Sequence, residues 1–307
     1  MDIFDLAISY VWEYDEDFVS LIEHVLQNEG LSTYIIRYHN IEEVTEKVKS
    51  RKLLFHSYLD RASDVAEEFE ELARLLSKKK IRIFNPYKNV QHSIDKASMH
   101  LEFITSGLEV PHSIIIPPYN HKENILLSVQ DLAILGRPFI IKPCNTTGGG
   151  VGVVTGAESL KEVLQERINH KSDKYILQEK IIPKILNDKR AWFRSFWAFG
   201  KAIPVWWDDI SHIYQVITPE ETKNLSLRKL ISITKTIAGI SQLDFFSTEI
   251  VLTNSNKFVV IDYVNDQCDM RFKSSHFDGV PDEIIFKIVT ALMMSVKKTG
   301  SRQSNEI

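Results

Sequence analysis

The sequence predicts an α/β (α+β) protein in which a parallel sheet is followed by mostly antiparallel strands. Over the first 84 residues, apolar strand-like runs alternate with amphipathic helical runs. Such alternation is typical of a parallel sheet that is covered by helices. From residue 192 onwards the apolar runs succeed each other in close pairs, which favours antiparallel pairing. At 307 residues the chain is long enough for two or three packed subdomains.

The amino-terminal part is predicted to contain four strands and three helices. The strands are expected at residues 6–12, 33–38, 53–58 and 82–84, and the helices at residues 17–28, 42–48 and 64–77. Parallel sheets bind ligands beyond the carboxyl ends of their strands, which makes this edge a candidate binding rim. The rim residues are Trp12, Glu13, Asp60 and Arg61, which are equally well explained as ordinary loop residues.

Two further groups of elements follow. The first has predicted helices at residues 94–106 and 159–167 and predicted strands at residues 113–116, 139–142, 151–154 and 175–180. The second has predicted strands at residues 192–199, 203–207, 245–252 and 258–264 and predicted helices at residues 226–238 and 281–296. We expect domains at residues 1–90, 91–172 and 173–300, with a disordered tail at residues 301–307.

The composition narrows the class of partner. The net charge of -4 and the absence of a basic cluster with interleaved aromatic residues argue against a nucleic-acid partner. No apolar run reaches the roughly 18 residues of a membrane helix, and the segment after Met1 lacks a signal pattern, so a cytoplasmic protein is expected. The two cysteines, Cys144 and Cys268, have no spacing that indicates zinc binding or a disulfide framework.

The segment FIIKPCNTTGGGVGVV joins two apolar strands through a glycine-rich loop at residues 146–152. Glycines allow positive φ angles and let backbone N–H groups approach phosphate oxygens, while hydroxyls add donors and a lysine adds positive charge. The candidate phosphate-binding residues are Lys142, Thr146, Thr147, Gly148, Gly149 and Gly150. The loop is not a Walker loop, which ends in Gly-Lys-Ser/Thr and opens a helix. A flexible turn explains the segment equally well.

Four more segments, taken in order with this loop, resemble the motifs of the ATP-grasp superfamily. They are IDKASMHLEFITSGLEVP, LQEKII, AWFRSFWAFGKAIPVWW, and the strand pair LDFFSTEIVL and KFVVIDYVND. The chain is similar in particular to carboxylate–amine ligases of the RimK, D-alanine–D-alanine ligase and glutathione synthetase type. The resemblance implies an amino-terminal parallel-sheet domain followed by two α+β subdomains that clasp ATP.

The resemblance also implies which residues bind ATP. Lys96 and Lys142 match the two lysines of the family. The adenine-binding hinge matches four residues, of which the backbone near Glu179 and Ile181 would meet the adenine edge. The hinge residues are Gln178, Glu179, Lys180 and Ile181. Asp188 is the nearest acidic candidate for the ribose.

The closing strand pair is similar to the family's metal element, which holds Mg²⁺ between two acids and an asparagine. The matching residues are Glu249, Asp262 and Asn265, and Mn²⁺ is an alternative metal. The family spaces the second acid and the asparagine two residues apart, whereas here they are three apart and a regular strand would point them to opposite faces. A β-bulge or an early strand end could restore convergence, or Asp266 could replace the asparagine. Ordinary solvent-facing acids are the alternative explanation.

The activity implied by the resemblance is an ATP- and Mg²⁺-dependent ligase that activates a small-molecule carboxylate as an acylphosphate for attack by an amine or a thiol. Arg194 would stabilise the acylphosphate and Arg271 would bind a carboxylate, whereas a surface ion pair is the alternative for each arginine. His212, in the aromatic segment at residues 205–221, is a candidate general base. A kinase on the same scaffold and a nucleotide-binding regulatory module are alternatives. The oligomeric state is left open, with a homodimer as one alternative.

Overall fold

The computed structural model describes residues 1–145 and 151–303, with side chains described through residue 300. Its strands form three larger sheets and one small hairpin. The amino-terminal sheet is parallel and has the order β2-β1-β3-β4. Helices α1 to α3 connect its successive strands. Its elements are β1 (Asp2–Tyr10), α1 (Glu16–Asn28), β2 (Thr33–Ile36), α2 (Ile41–Lys49), β3 (Leu53–Arg61), α3 (Glu67–Ser77) and β4 (Arg82–Phe84).

The second sheet is antiparallel, with the order β5-β8-β6-β7. The elements of this region are α4 (Tyr87–Ser93), α5 (Lys96–Thr105), β5 (Ser113–Ile116), α6 (Val129–Leu135), β6 (Phe139–Pro143), β7 (Val154–Ala157), α7 (Leu160–Glu166) and β8 (Tyr175–Glu179). The predicted domain division at residue 172 falls before β8, although β8 pairs with β5 and β6 in this sheet.

The third sheet is antiparallel, has the order β13-β12-β11-β14-β15, and is preceded by the small hairpin β9–β10. The elements are β9 (Ile185–Leu186), β10 (Lys189–Arg190), β11 (Trp192–Ala198), β12 (Lys201–Trp207), β13 (Tyr214–Val216), α8 (Pro219–Asn224), α9 (Arg228–Ser241), β14 (Phe245–Leu252), β15 (Phe258–Asn265) and α10 (Asp282–Gln303).

The alternation of side chains along β11 explains how the third sheet builds both a core and a site. Phe193 faces the core formed with α9 and α5, whereas Phe196 and Ala198 face the core shared with α1, α10 and the parallel sheet. Trp192 and Arg194 follow the same period and therefore lie on the face of Phe196, at the other end of the strand. One face of the strand thus passes from apolar core to polar side chains.

Two local differences from the predicted elements have clear causes. The helix predicted at residues 94–106 begins at Lys96 instead, because the Asp95 side chain accepts a 3.0 Å hydrogen bond from the Ala97 N–H and acts as the N-cap of α5. The strand predicted at residues 151–154 starts instead at Val154, since Gly152 adopts φ +72° in a turn. A Cβ at Gly152 would lie 3.1 Å from Nε2 of His170, which also favours glycine there.

At the carboxyl end, α10 runs to Gln303, three residues into the segment predicted to be disordered. Residues 304–307 lie outside the described part of the chain. Among the described helices, none combines the length and the apolar character needed to cross a membrane.

Candidate functional site

Three charged side chains form a row across the third sheet. Arg194 on β11 is paired in register with Glu249 on β14, which is paired in turn with Asp262 on β15. Directly opposed residues of antiparallel strands share a face of the sheet. The sheet therefore brings together the residues that were predicted for acylphosphate stabilisation and for metal binding.

Asn265 joins this row because β15 is irregular. Ser247 pairs with Asn265 and Glu249 pairs with Asp262, so two steps along β14 correspond to three steps along β15. The extra residue is a β-bulge, which shifts the alternation of side chains by one. Asp262 and Asn265 consequently both oppose residues on one face of β14, despite a spacing that would separate them in a regular strand.

Both carboxylate oxygens of Glu249 accept hydrogen bonds. Arg194 Nη2 donates to Oε1, and the indole Nε1 of Trp192 donates to Oε2 over 3.0 Å. Arg194 also donates from Nη1 to the hydroxyl of Tyr214, and its guanidinium carbon lies 4.3 Å from the ring centroid of Trp207. Burial opposes the charge of Arg194, but the carboxylate of Glu249 holds the pKa of the guanidinium above its ordinary value.

Of the two predicted lysines, Lys142 on the second sheet contacts the strand of Asp262, and Lys96 on α5 lies close enough to Lys142 for their charges to interact. Lys142 on β6 donates from Nζ to the Ile261 carbonyl over 3.0 Å. Burial lowers the pKa of Lys142, Asp262 and Glu249 oppose that shift, and the charge of Lys96 adds to it. Lys96 is the first residue of α5, and its backbone N–H donates to the Cys144 carbonyl. These interactions place positive charge beside the two acids.

The hinge residues occupy different positions around the end of β8. Gln178 is buried and donates to Ser113 Oγ and to the Tyr263 hydroxyl, so its side chain belongs to the interior. The Glu179 carboxylate accepts from the His112 backbone N–H, and Lys180 is exposed. Ile181 packs against a small apolar cluster on β14 and β15. This cluster, which we call the hinge cluster, consists of Ile181, Trp192, Val251, Val259 and Ile261.

Three other predicted residues lie outside the row of charged side chains. Asp188 is an exposed residue with φ +62° in the two-residue turn between β9 and β10. His212 is exposed, has φ +59° and stacks on Trp207 at 5.4 Å. Arg271 donates to the carboxylates of Asp269 and Asp278 at 2.7 and 2.9 Å, as expected for the ion-pair alternative.

The predicted phosphate-binding residues Thr146, Thr147, Gly148, Gly149 and Gly150 lie outside the described residues. The residue before them is held firmly, because the Asn145 backbone N–H and side-chain amide both donate to Asp173. Lys142 and Asn145 thus fix the start of the loop relative to β8 and β15.

Of the amino-terminal rim, Asp60 and Arg61 are buried, as is Asp266, whereas Trp12 and Glu13 are exposed. Arg61 makes two hydrogen bonds to Asp15, at 2.9 and 2.7 Å, and the Asp60 carboxylate accepts from the backbone of the following loop. Asp266 lies next to Asp64, with Gln267 donating to both. Burial raises the pKa of both Asp64 and Asp266, with repulsion from Asp60 adding to the shift of Asp64 and repulsion from Asp64 adding to that of Asp266. The burial of Asp60, Arg61 and Asp266 results from packing between the parallel sheet and the loop after β15.

The donor set of the row suits a hard divalent cation. Within residues 1–145 and 151–300, no three His, Cys, Asp or Glu side chains cluster as metal ligands. Glu249, Asp262 and Asn265 offer oxygen atoms, the ligand type that Mg²⁺ prefers, and a carboxylate with one hydrogen bond to each oxygen retains free lone pairs. Nε of Arg194 is buried without a partner among the described residues, so the site can accept an additional anionic group.

Several solved structures have a fold similar to that of the whole chain. A RimK-domain ATP-grasp protein of Sphaerobacter thermophilus has a TM-score of 0.61 at 16% identity, with 94% of this chain and 97% of that chain covered. The D-alanine–D-alanine ligase of Bacillus anthracis, complexed with ATP, has a TM-score of 0.64 at 15% identity, with 98% of each chain covered. This chain has the ATP-grasp fold.

Another ATP-grasp structure is similarly related. The ATP-grasp ligase PsnB, complexed with a minimal precursor, Mg and ADP, has a TM-score of 0.62 at 14% identity, with 95% of this chain and 98% of that chain covered. No protein-family model and no curated protein sequence matches the chain. The likeness to the solved structures therefore concerns the fold.

Trp192 is a contact of this candidate site that was not predicted from the sequence. The segment AWFRSFW directs attention to Arg194, and Trp192 reads as one more aromatic residue of an apolar strand. The signal was its spacing, since residues two apart on a strand share a face. Trp192 must therefore point to the same side of the sheet as Arg194 and can reach Glu249.

Proposed function

We infer that this protein is an ATP- and Mg²⁺-dependent ligase that joins a carboxylate to an amine or a thiol and releases ADP and phosphate. The observation that carries the proposal is the row of Arg194, Glu249, Asp262 and Asn265 on one face of the sheet, with Lys142 beside it. The ATP-grasp fold, shared with a D-alanine–D-alanine ligase and with a ligase complexed with a minimal precursor, supports the same activity.

The role proposed for each residue follows from the charge and polarity of its side chain. Glu249, Asp262 and Asn265 would hold Mg²⁺, which would neutralise the charge of the phosphates. Lys96 and Lys142 would bind phosphate oxygens from the other side, since phosphoryl transfer depends chiefly on positioning and electrostatic stabilisation. The adenine base of ATP would lie along the backbone near Glu179 and Ile181, against the hinge cluster.

Arg194 is the residue we assign to the transferred phosphoryl group. Its guanidinium is fixed on three sides by Glu249, Tyr214 and Trp207, so it is positioned before substrate binds. A planar guanidinium matches the geometry of a phosphoryl oxygen pair, and its unpartnered Nε is a ready donor. We assign no catalytic role to Arg271, because Asp269 and Asp278 satisfy its guanidinium.

The test is ADP and phosphate release from Mg-ATP while carboxylates are screened alone and then together with amines or thiols. Wild type is compared with Glu249→Gln combined with Asp262→Asn, which keeps the shape of both side chains and removes their charge. Release that requires two substrates, and that the double variant lacks, supports a ligase. Phosphorylated product with one acceptor and no free phosphate would identify a kinase instead, and ATP binding without turnover would identify a regulatory module.

A further inference from the structure

We propose that Trp192 is a positioning residue that sets the metal-binding geometry of Glu249. This inference rests on the proposed Mg²⁺-dependent nucleotide site. Its structural basis is the 3.0 Å hydrogen bond from the indole Nε1 to Oε2 of Glu249. The other oxygen is held by Arg194, so the two donors together fix the plane of the carboxylate. Groups that orient metal ligands in this way commonly change metal affinity when they are removed.

The indole itself is held by its surroundings. Its ring packs with the side chains of the hinge cluster, where Ile181 comes from the segment that follows β8 and the other residues from β14 and β15. On β10, the Arg190 guanidinium lies 6.0 Å from the Trp192 ring centroid and is fixed by two hydrogen bonds to Asp209. A large aromatic ring held among these groups keeps its N–H aimed at one acceptor.

The position of Trp192 links two parts of the proposed site. The ring belongs to the hinge cluster, against which the nucleotide base would bind, and its N–H reaches the acid that would bind Mg²⁺. A base that orders the hinge cluster would therefore also order Glu249. Trp192 acts through Glu249 in this arrangement and is not expected to touch the reacting atoms.

The experiment measures ADP binding to the full-length protein by calorimetry, in EDTA and in excess Mg²⁺. The ratio of the dissociation constant in EDTA to that in Mg²⁺ gives the factor by which Mg²⁺ strengthens ADP binding, which we call the enhancement by Mg²⁺. Trp192→Phe keeps an aromatic ring and removes the N–H, and should reduce the enhancement about 10-fold while changing ADP binding in EDTA much less. Trp192→His, which retains a ring N–H, should restore part of the enhancement.

Trp197→Phe is the matched control. Trp197 lies on the same strand and is also partly buried, but it packs against the opposite core. Its substitution should leave the enhancement by Mg²⁺ unchanged. In a Glu249→Gln background, Trp192→Phe should cause no further loss of enhancement, because the indole acts through the carboxylate that is already removed.

The inference is overturned if Trp192→Phe keeps the wild-type enhancement, or if ADP binding weakens equally in EDTA and in Mg²⁺, which would indicate a purely structural role. Thermal unfolding checks that each variant folds. If Trp192→Phe does not fold, Trp192→Tyr is a second variant that lacks the indole N–H. Wild-type protein that binds ADP without any dependence on Mg²⁺ would overturn both this inference and the proposed function. Normal dependence in wild type with no effect of the variants overturns this inference alone.

Discussion

The Tyr263 hydroxyl accepts a 2.8 Å hydrogen bond from Nε2 of Gln178, which joins the strand of Asp262 to the strand that leads into the hinge. The same hydroxyl lies 2.5 Å from Nδ1 of His100 on α5. The helix that begins with Lys96 is therefore connected, through one buried phenol, to both strands. Tyr263, Gln178 and His100 are all buried, so the bonds compete little with water.

Tyr263→Phe should lower the free energy of unfolding by about 1–3 kcal/mol, because it removes the partner of buried polar atoms on Gln178 and His100. Urea unfolding followed by circular dichroism measures the change. Tyr38→Phe is the control, since Tyr38 is exposed and packs edge-on against Phe69. Equal stability of the two variants would show that the buried network contributes nothing.

Stability should also depend on pH through His100. Burial lowers the pKa of this imidazole to about 4, with a smaller contribution from His112, whereas an unfolded histidine titrates near 6.5. The neutral ring is thus favoured in the folded protein, and its contribution to the free energy of unfolding is complete above pH 6.5. As the pH falls from 6.5 towards 4 the unfolded chain binds the proton first, so stability should fall by up to about 3 kcal/mol.

The measurement for His100 is urea unfolding at pH 7.5 and pH 5.0 for wild type and His100→Gln. The variant should lose part of the pH dependence, because its side chain does not titrate. His39→Gln provides the control at an exposed histidine. If His100→Gln keeps the full wild-type difference between the two pH values, other groups cause it.

From the bulge in β15 we expect that Asn265, rather than Asp266, completes the proposed metal site. Asn265→Ala should weaken Mg²⁺-dependent ADP binding about 10-fold, because one ligand is removed from the row. Asp266→Asn should leave Mg²⁺-dependent binding within about 2-fold of wild type, since Asp266 is buried beside Asp64. Titration calorimetry with ADP and Mg²⁺ measures both, and the reverse order of effects would assign the ligand to Asp266.

His212 is not expected to act as the general base. Its ring is exposed and stacked on Trp207, in a turn where the residue has φ +59°. His212→Asn retains a residue type that tolerates positive φ, so the turn should survive. Turnover should change less than about 3-fold, with the same pH profile, because stacking at an exposed site contributes little. Loss of one limb of the pH profile would instead place His212 in catalysis.

Much of the fold could be predicted from the sequence because its signals are local. The strands Ser113–Ile116 and Phe245–Leu252 have the bounds that their apolar runs predict. Gly152 forms a turn and Asp95 begins a helix through interactions with residues a few positions away. Their effect on the bounds of the neighbouring elements was recognised only in the structure. The row of charged residues was anticipated as a set of candidates from the order of the motifs.

The sequence by itself determined the kinds of elements, their order and the residue types from which a site could be built. Only the tertiary structure decided which of these residues meet. Arg194 and Trp192 reach Glu249 from a strand more than fifty residues away, and Asn265 joins them through a shift in the pairing of β14 and β15. Cross-strand register depends on packing across the whole sheet and on a bulge that no short pattern specifies, whereas hydrophobic period and turn residues act between near neighbours.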